Sequence, residues 1–424
     1  MPKIKTITLI GSAIASAVLV PGIAGAGGIE LYEIATPDVG LASAGYAARA
    51  QDASTLFKNP AGMSELPGTQ FQAGLQLTYG HVQFSPNANT SPLLGSNDGG
   101  NPVGALPAAS FFLTHQISDN LTVGVGTFSY FGLATTYNSE WLGRYYIQKG
   151  SLLGLSLMPA ASFKPVDWLS VGAGLNAMYG YMNNQIAVRT VPAATGDGQM
   201  VLKNNTWGFG ANAGILVKPS DSTRIGVTYL SPVKLDFKAR PGFSNLGPLG
   251  GLPIFTSPPQ LSLGIKVPQS VVLGGYQDLN SKWAIMGDVG WQNWEQFGKV
   301  DIGVDSNNPQ SLTANLQYQN TWHGALGAQY RISDEWKMTG GAAYDSSCVS
   351  DENRTLSLPV GKAYRFGLGA EWQISTVVAV DAAYEFLWAG DMPVTQDSVY
   401  RGTVSGAYNG TWFSFFTVGI NCKF

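Results

Sequence analysis

One polar phrase recurs along the chain and limits what the chain can fold into. It reads His115-Gln116-Ile117-Ser118-Asp119-Asn120-Leu121, then Phe163-Lys164-Pro165-Val166-Asp167-Trp168-Leu169. Variants stand at Lys218-Pro219-Ser220-Asp221, Gln277-Asp278-Leu279-Asn280, Arg331-Ile332-Ser333-Asp334-Glu335-Trp336 and Gln373-Ile374-Ser375-Thr376. Each joins two extended runs through a few polar residues, the chemistry of a tight hairpin. Long polar connections rich in Pro, Gly and Asn lie near 85–103, 132–150, 184–200, 238–266, 295–313, 346–360 and 389–405. Six short turns alternating with seven long loops predict fourteen strands. Short turns on one side and long loops on the other are the habit of membrane barrels.

The strands carry two faces. From 169 to 181, Leu169, Val171, Ala173, Leu175, Ala177, Tyr179 and Tyr181 share one side, against Ser170, Gly172, Gly174, Asn176, Met178 and Gly180. In 377–388, Asp381 and Glu385 fall together, opposite Val380, Ala382, Tyr384, Phe386 and Trp388. A charge facing lipid at mid-depth costs roughly 2–4 kcal/mol for a base and less for an acid, so the charged face is the lumen. The small, polar inward face predicts an interior without a packed core.

Composition agrees. Only 12% of the 424 residues are charged, where roughly a quarter is usual. The apolar content excludes disorder, two cysteines exclude a disulfide scaffold, and a formal charge of −3, with no basic footprint, disfavours a nucleic-acid binder. The predicted fold is all-β, a 14-stranded antiparallel transmembrane β-barrel with a short-helical N-terminal hatch in its lumen. Lys3 and Lys5, the apolar run 7–20 and Ala24-Gly25-Ala26 read as a signal peptide over 1–26. Residues 27–68 do not alternate and form the hatch, and 69–424 form the barrel, whose first strand is 69–84. Cys348 and Cys422 fall at opposite ends of the wall and stay unpaired. In the hatch, Asp52 is a candidate N-cap and Pro60-Ala61-Gly62 a breaker.

With these features the chain resembles the FadL/TodX (OmpP1) family of outer-membrane transporters for long-chain fatty acids and other hydrophobic compounds. The sharpest matches are Asp52-Ala53-Ser54-Thr55 with Asn59-Pro60-Ala61-Gly62-Met63, and Trp141-Leu142-Gly143-Arg144-Tyr145. Others are Asp288 to Phe297 with Trp291 and Trp294, Tyr344-Asp345-Ser346, and the terminal Phe424. The resemblance implies a hatch inside the barrel, with Phe57, Asn59, Pro60, Ala61 and Gly62 as its signature. It implies capture of ligand between the third and fourth surface loops, a tighter site near the hatch, and sideways release through an inward kink in the third strand. It also implies the outer membrane of a Gram-negative bacterium, lipid and lipopolysaccharide around the wall, and the barrel-assembly machinery reading Phe424.

Two stretches support that picture from the residues themselves. In the third strand, Phe128 and Tyr130 occupy the face that Thr122, Gly124 and Gly126 keep small, as at a bulge or kink. The lateral opening is therefore assigned to Gly126, Phe128, Tyr130, Phe131 and Gly132, with an aromatic interface girdle as the alternative. The fourth loop is apolar for something facing water, and Phe243, Leu246, Leu249, Leu252, Ile254 and Phe255 are the capture candidates. Loop–loop packing is their other reading. Arg365 and Arg144 are candidates for holding a carboxylate.

No catalytic group, cofactor or metal is assigned. His81, His115 and His323 are scattered, and His115 and His323 read as solvated residues. Asp288, Asp381 and Glu385 read as lumen charges. The expected function is passive uptake of a fatty acid or other hydrophobic small molecule, without enzymatic activity. A general diffusion porin and an outer-membrane hydrolase are the alternatives.

Overall fold

The computed structural model describes residues 29–190, 196–305 and 310–424; the signal-peptide reading of 1–26 lies outside them. Nineteen strands follow in chain order among these residues. The first seven are β1 (Thr69–Pro86), β2 (Gly104–Ser118), β3 (Leu121–Thr136), β4 (Lys149–Val166), β5 (Leu169–Val188), β6 (Gly198–Ser220) and β7 (Thr223–Leu230). Then come β8 (Val233–Ala239), β9 (Gly242–Ser244), β10 (Gln260–Val267), β11 (Ser270–Asp278), β12 (Trp283–Gln292), β13 (Lys299–Asp305) and β14 (Gln310–Asn315). The last five are β15 (Thr321–Arg331), β16 (Trp336–Asp345), β17 (Ala363–Gln373), β18 (Val378–Gln396) and β19 (Val404–Lys423).

Fourteen of them make the wall, which is antiparallel throughout and closes where β1 pairs with β19 and β5 with β6. All six hairpins fall on the polar phrases. β2 ends at Ser118 and β3 begins at Leu121, and β17 ends at Gln373 before β18 starts at Val378. The wall faces alternate as the residue pattern requires: Val171 and Leu175 are exposed on the outside, while Ser170 and Asn176 are buried.

Some boundaries differ from expectation. The last connection shrinks from 389–405 to 397–403, because β18 and β19 stay paired beyond the wall through register shifts at Trp388, Gly390 and Met392. Gly390 takes a φ of +68° there, the left-handed geometry a bulge uses. The fourth loop is part of a longer excursion between β7 and β11. Its strands β8 and β10 join β13 and β14 in a separate four-stranded sheet over the outer mouth. The inner side of that sheet buries Leu235, Phe237, Leu263 and Ile265.

The largest correction concerns the interior, which is packed after all. Residues 29–66 run through the bore as the helices Thr36–Gly40 and Thr55–Lys58 and the 3₁₀ helix Pro60–Glu65. Leu56, Phe57 and Met63 join one buried cluster with Phe112, Phe128, Met158 and Met178 of the wall. The wall's small inward residues make room for this plug. A Cβ added at Gly226 would run into the Ala47 carbonyl, at Gly341 into that of Leu41, and at Gly367 into that of Val39. Glycine at these positions is a requirement of close backbone approach.

Introducing a side chain there should expel the plug while sparing the wall. We expect Gly341→Val to keep the folded barrel's heat-modifiable migration on gels. Trypsin should then cut at Arg49 or Lys58, which the native protein buries. Unchanged resistance at both sites would contradict the packing described.

Candidate functional site

The wall is incomplete between its second and third strands. The β2–β3 ladder runs from Ser118–Leu121 to Phe111–Thr127 and stops, although β1 goes on pairing with β2 up to Gly104 and β4 with β3 up to Thr136. The β3 register against β4 shifts between Phe128 and Phe131, the extra residue of a bulge, and Gly132 takes a φ of +137°. Phe128, Tyr130 and Phe131 are all fully buried and turn inward. The ladder with β2 ends at Thr127, one residue before the residue pattern changes at Phe128, and the bulge against β4 follows between Phe128 and Phe131. Thr136 N–H donates to the Pro102 carbonyl (2.7 Å) and closes the gap above. The result is a window. On its β2 side Pro107, Ala108 and Ala109 are exposed in succession, so alternation is lost where the partner strand is missing.

An unpaired strand edge at membrane depth leaves backbone groups unsatisfied, at several kcal/mol each. Two devices deal with this. Pro107 has no N–H to leave unpaired, and this proline within a strand was a sequence signal for an edge. On the β3 side the start of the plug acts as a short extra strand. Leu31 N–H donates to the Tyr130 carbonyl (2.7 Å), Gly132 N–H donates to the Ile29 carbonyl (3.0 Å), and Glu30 faces Phe131 as their antiparallel partner.

The next residues fasten the same segment to the opposite wall. Tyr32 stacks on His323, with ring centres 4.1 Å apart. Glu33 meets Arg365 Nη1. Arg365 also holds Asp345 through Nε (2.6 Å) and Glu385 through Nη1 (3.3 Å), and His323 Nδ1 lies 2.7 Å from Asp345. Every member of the group is buried. Arg365, expected as a free cation for a ligand carboxylate, is thus engaged by three carboxylates of the protein. His323, expected to be solvated, is covered by the plug. His115 is the exposed residue anticipated, bonded to Thr69.

The remainder of the plug is tied by directional bonds. Asp288 accepts from the backbone N–H groups of Gly45, Tyr46 (2.9 Å) and Ala47 (3.1 Å). Asn59 donates to the carbonyls of Ala47 (2.7 Å) and Ile215 (3.1 Å) and accepts from Ala61 N–H. It therefore caps the 3₁₀ helix that Pro60 begins, so Pro60-Ala61-Gly62 starts a helix where a breaker was expected. Ala61 gives its carbonyl to Ser162, and Gly62 sits tightly against Thr55 and Ala50. Phe57 packs on Phe128 (4.4 Å) and Tyr130 (5.0 Å). Asp52 is no helix cap either. It accepts from Ser54 N–H (3.1 Å) and, with Asp38, balances Arg49 and Lys58 in a buried set of four charges.

Over the mouth, Trp141 stacks on Tyr137 (4.0 Å) and donates to the Ile147 carbonyl, while Tyr137 and Tyr408 share a hydrogen bond of 2.8 Å. Arg144 pairs with Asp197 (2.7 Å) and reaches the Leu94 carbonyl (3.0 Å), so it too is spent on the protein, joining three loops. Of the fourth-loop candidates only Leu246 is buried. Phe243, Leu249, Leu252, Ile254 and Phe255 remain partly or fully exposed, and Phe243 meets Phe255 edge to face at 5.0 Å. Trp291 and Trp294 separate: Trp294, in the short helix Trp294–Phe297, is buried beside Phe297, which reaches Phe131 at the bulge (6.0 Å), while Trp291 lies on the outward face of β12 with Val289. Burial pushes the Cys348 thiol up to about 12, so it stays protonated and inert, and Cys422 is also free.

A cavity of about 690 Å³ passes through the window. Ile29, Glu30, Leu31 and Ile34 of the plug line it inside, with Arg365, Phe413 and Phe415. Leu153, Leu155 and Phe111, exposed on the lipid face, line its other end. Such a space suits an apolar small molecule passing between bore and bilayer.

The comparisons with known proteins agree with this geometry. The family model for outer membrane protein transport proteins (OMPP1/FadL/TodX) matches residues 17–424. The chain is 26% identical over 426 residues to the long-chain fatty acid transport protein of Escherichia coli strain K12, covering 91% of this chain and 93% of that one. It is 25% identical to outer membrane protein P1 of Haemophilus influenzae, covering 87% of each. Among solved structures, a Pseudomonas aeruginosa FadL homologue superposes with a TM-score of 0.82 at 22% identity, over 92% of this chain and 98% of that one. The Pseudomonas putida toluene transporter TodX gives 0.69 at 17% identity, over 93% and 99%.

The Arg365 group generates a stability test. Removing the guanidinium leaves Glu33, Asp345 and Glu385 facing one another, and deleting one partner of a buried ion pair costs about 3–5 kcal/mol. Arg365→Ala should lower the temperature at which the gel-shift form is lost. An unchanged temperature would mean that the group carries no net attraction.

Proposed function

The chain belongs to the outer membrane protein transport family (OMPP1/FadL/TodX) and is an outer-membrane β-barrel, and on that premise we propose that it carries hydrophobic small molecules inward through the window beside β3. The observation that carries this reading is the cavity running from the plug to the lipid face. Relatives are named for long-chain fatty acid transport and for toluene transport, and the ligand class here is the one those names share.

The route begins at the fourth-loop apolar side chains that keep some exposure, Leu252 the most and Phe243, Leu249, Ile254 and Phe255 in part. Each methylene removed from water contributes about 0.8 kcal/mol, so an apolar tail collects on such a surface. It descends along the aromatic group of Phe57, Phe128 and Tyr130. Residues 27–68 act as the hatch, with the Asn59-Pro60-Ala61 joint holding the body of the plug while its leading segment gives way. The strand pairing of Ile29 and Leu31 with β3 must break for the window to clear. Ligand then leaves sideways past Gly132 into the membrane, down its own gradient and without catalysis. Lipid and lipopolysaccharide surround the wall, and Phe424 presents the closing strand to the assembly machinery.

Glu30 and Phe131 are a non-hydrogen-bonded antiparallel pair, whose Cα spacing of about 4.5 Å suits a disulfide. With Cys348 and Cys422 replaced by alanine, Glu30→Cys with Phe131→Cys should abolish uptake when oxidised and recover it on reduction. Uptake at the native rate in the oxidised state would sink the route. The porin alternative predicts a large, steady ion conductance in planar bilayers. The filled bore predicts none.

A further inference from the structure

The outside of the molecule carries two features that the transport route does not use, one above the other. The mouth sheet rises from the rim, with β8 following β7, β10 leading into β11, and β13 following β12. Its buried side chains look across the mouth. Leu235 lies against Gly180 of β5 and Gly208 of β6, and Phe297 at the foot of β13 meets Phe131 of β3. The other face of the sheet therefore stands outward, above the lipid face of β7, β11 and β12. Tyr229 and Trp322, exposed at the rim below it, mark the interface level.

A row of lysines crosses the low end of that face. Lys234 and Lys266 are direct partners in the β8–β10 ladder. Asp301 pairs with Gly264, which sets Lys299 level with Lys266. Like charges placed opposite each other in a ladder are destabilising. Asp236 answers Lys234 (3.0 Å) and Glu295 answers Lys299, but Lys266 enters no ion pair among the described residues. Lys238 on the same face, and Lys203 on the outer face of β6, are likewise without one. The acids left without a lysine on this face are Asp301, which accepts from Thr313 (3.0 Å), and Asp305.

Below the row the wall is hollowed. Gly275, Gly287 and Gly324 face the lipid, and a Cβ added at Gly275 or Gly324 meets nothing within 4 Å. Leu273, Val289, Leu326, Tyr344 and Phe366 form the sides of this groove of about 770 Å³. Leu273 follows Lys266 by seven residues, at most about 23 Å of chain, which strand tilt turns into about 18 Å of depth. The outer half of a bilayer core is about 15 Å thick, so an acyl chain hung from the row reaches the groove.

We propose that this sector binds one phosphorylated lipid of the outer leaflet, its phosphate between Lys234 and Lys266 and an acyl chain in the groove below. The phosphate removes the repulsion within the lysine row. In hydrocarbon no hydrophobic force holds a tail in place, so the groove contributes packing and the lysines most of the affinity. The site lies outside the wall, and the transport reading does not depend on it.

The test uses the intact protein, delipidated in mild detergent. It is titrated with diphosphorylated lipid A, with the dephosphorylated form and with inorganic phosphate, and bound lipid is counted by native mass spectrometry. We expect one lipid A per barrel, held about tenfold more tightly than the dephosphorylated form. Lys266→Gln should weaken lipid A about fivefold, the value of one lysine beside an anionic lipid surface. Lys164→Gln, the same change at the periplasmic turns, should leave binding as it was. Gly324→Leu fills the groove and should weaken both lipids about threefold while keeping the phosphate preference. Heat-modifiable migration verifies that each variant is folded. Equal retention of the two lipids, equal loss from Lys164→Gln and Lys266→Gln, or native retention by Gly324→Leu overturns the site. Competition by inorganic phosphate as strong as that of lipid A reduces it to free-anion binding and overturns it too.

Discussion

In hydrocarbon a backbone N–H or C=O has no water to turn to, and everything in this molecule follows from that. The requirement closes fourteen strands into a ring, with β1 against β19 and β5 against β6. It also makes any interruption of the ring conspicuous. The one between β2 and β3 is handled by a proline on one edge and a borrowed strand on the other, Ile29 to Leu31. The gap in the wall and the start of the plug are therefore one structural feature, since each satisfies groups the other leaves open.

Charge is used in two ways inside the bore. Within the plug, Asp38 and Asp52 balance Arg49 and Lys58, while Glu65 at its end pairs with Lys218 of the wall. At the leading segment the balance is shared with the wall, because Glu33 belongs to the plug while Arg365, Asp345 and Glu385 belong to strands. Moving that segment disturbs the wall's own pairing. The segment that closes the window is thus also the part of the plug whose position the wall senses most directly.

The hairpins, the strand count and the inward placement of Asp381 and Glu385 were all legible in the residues, because turn chemistry and two-residue alternation are local signals. The lumen was not. Small inward side chains read equally well as an open channel or as room for another backbone, and only the contacts of Gly226, Gly341 and Gly367 decide. Arg365 shows the same limit for charge. A sequence displays a cation at depth but hides the three carboxylates that three separate elements bring to it. Asn59 was marked by its motif, yet its bonds to Ala47 and Ile215 depend on a fold-back that no local pattern encodes. Pro107 was available and went unread, since one imino acid inside an otherwise regular strand is easily taken for noise.

The glycines beneath the plug have a mechanical consequence. Where side chains interlock, one body leaves another only by unmeshing every knob from its socket, and the motion is stepped. At Gly226, Gly341 and Gly367 main chain lies on main chain with no knob between them. Such a surface leaves the hold on the inner body to a few directional bonds, those of Asp288 and Asn59 and the Glu65–Lys218 pair, and not to interlocked side chains along these glycines.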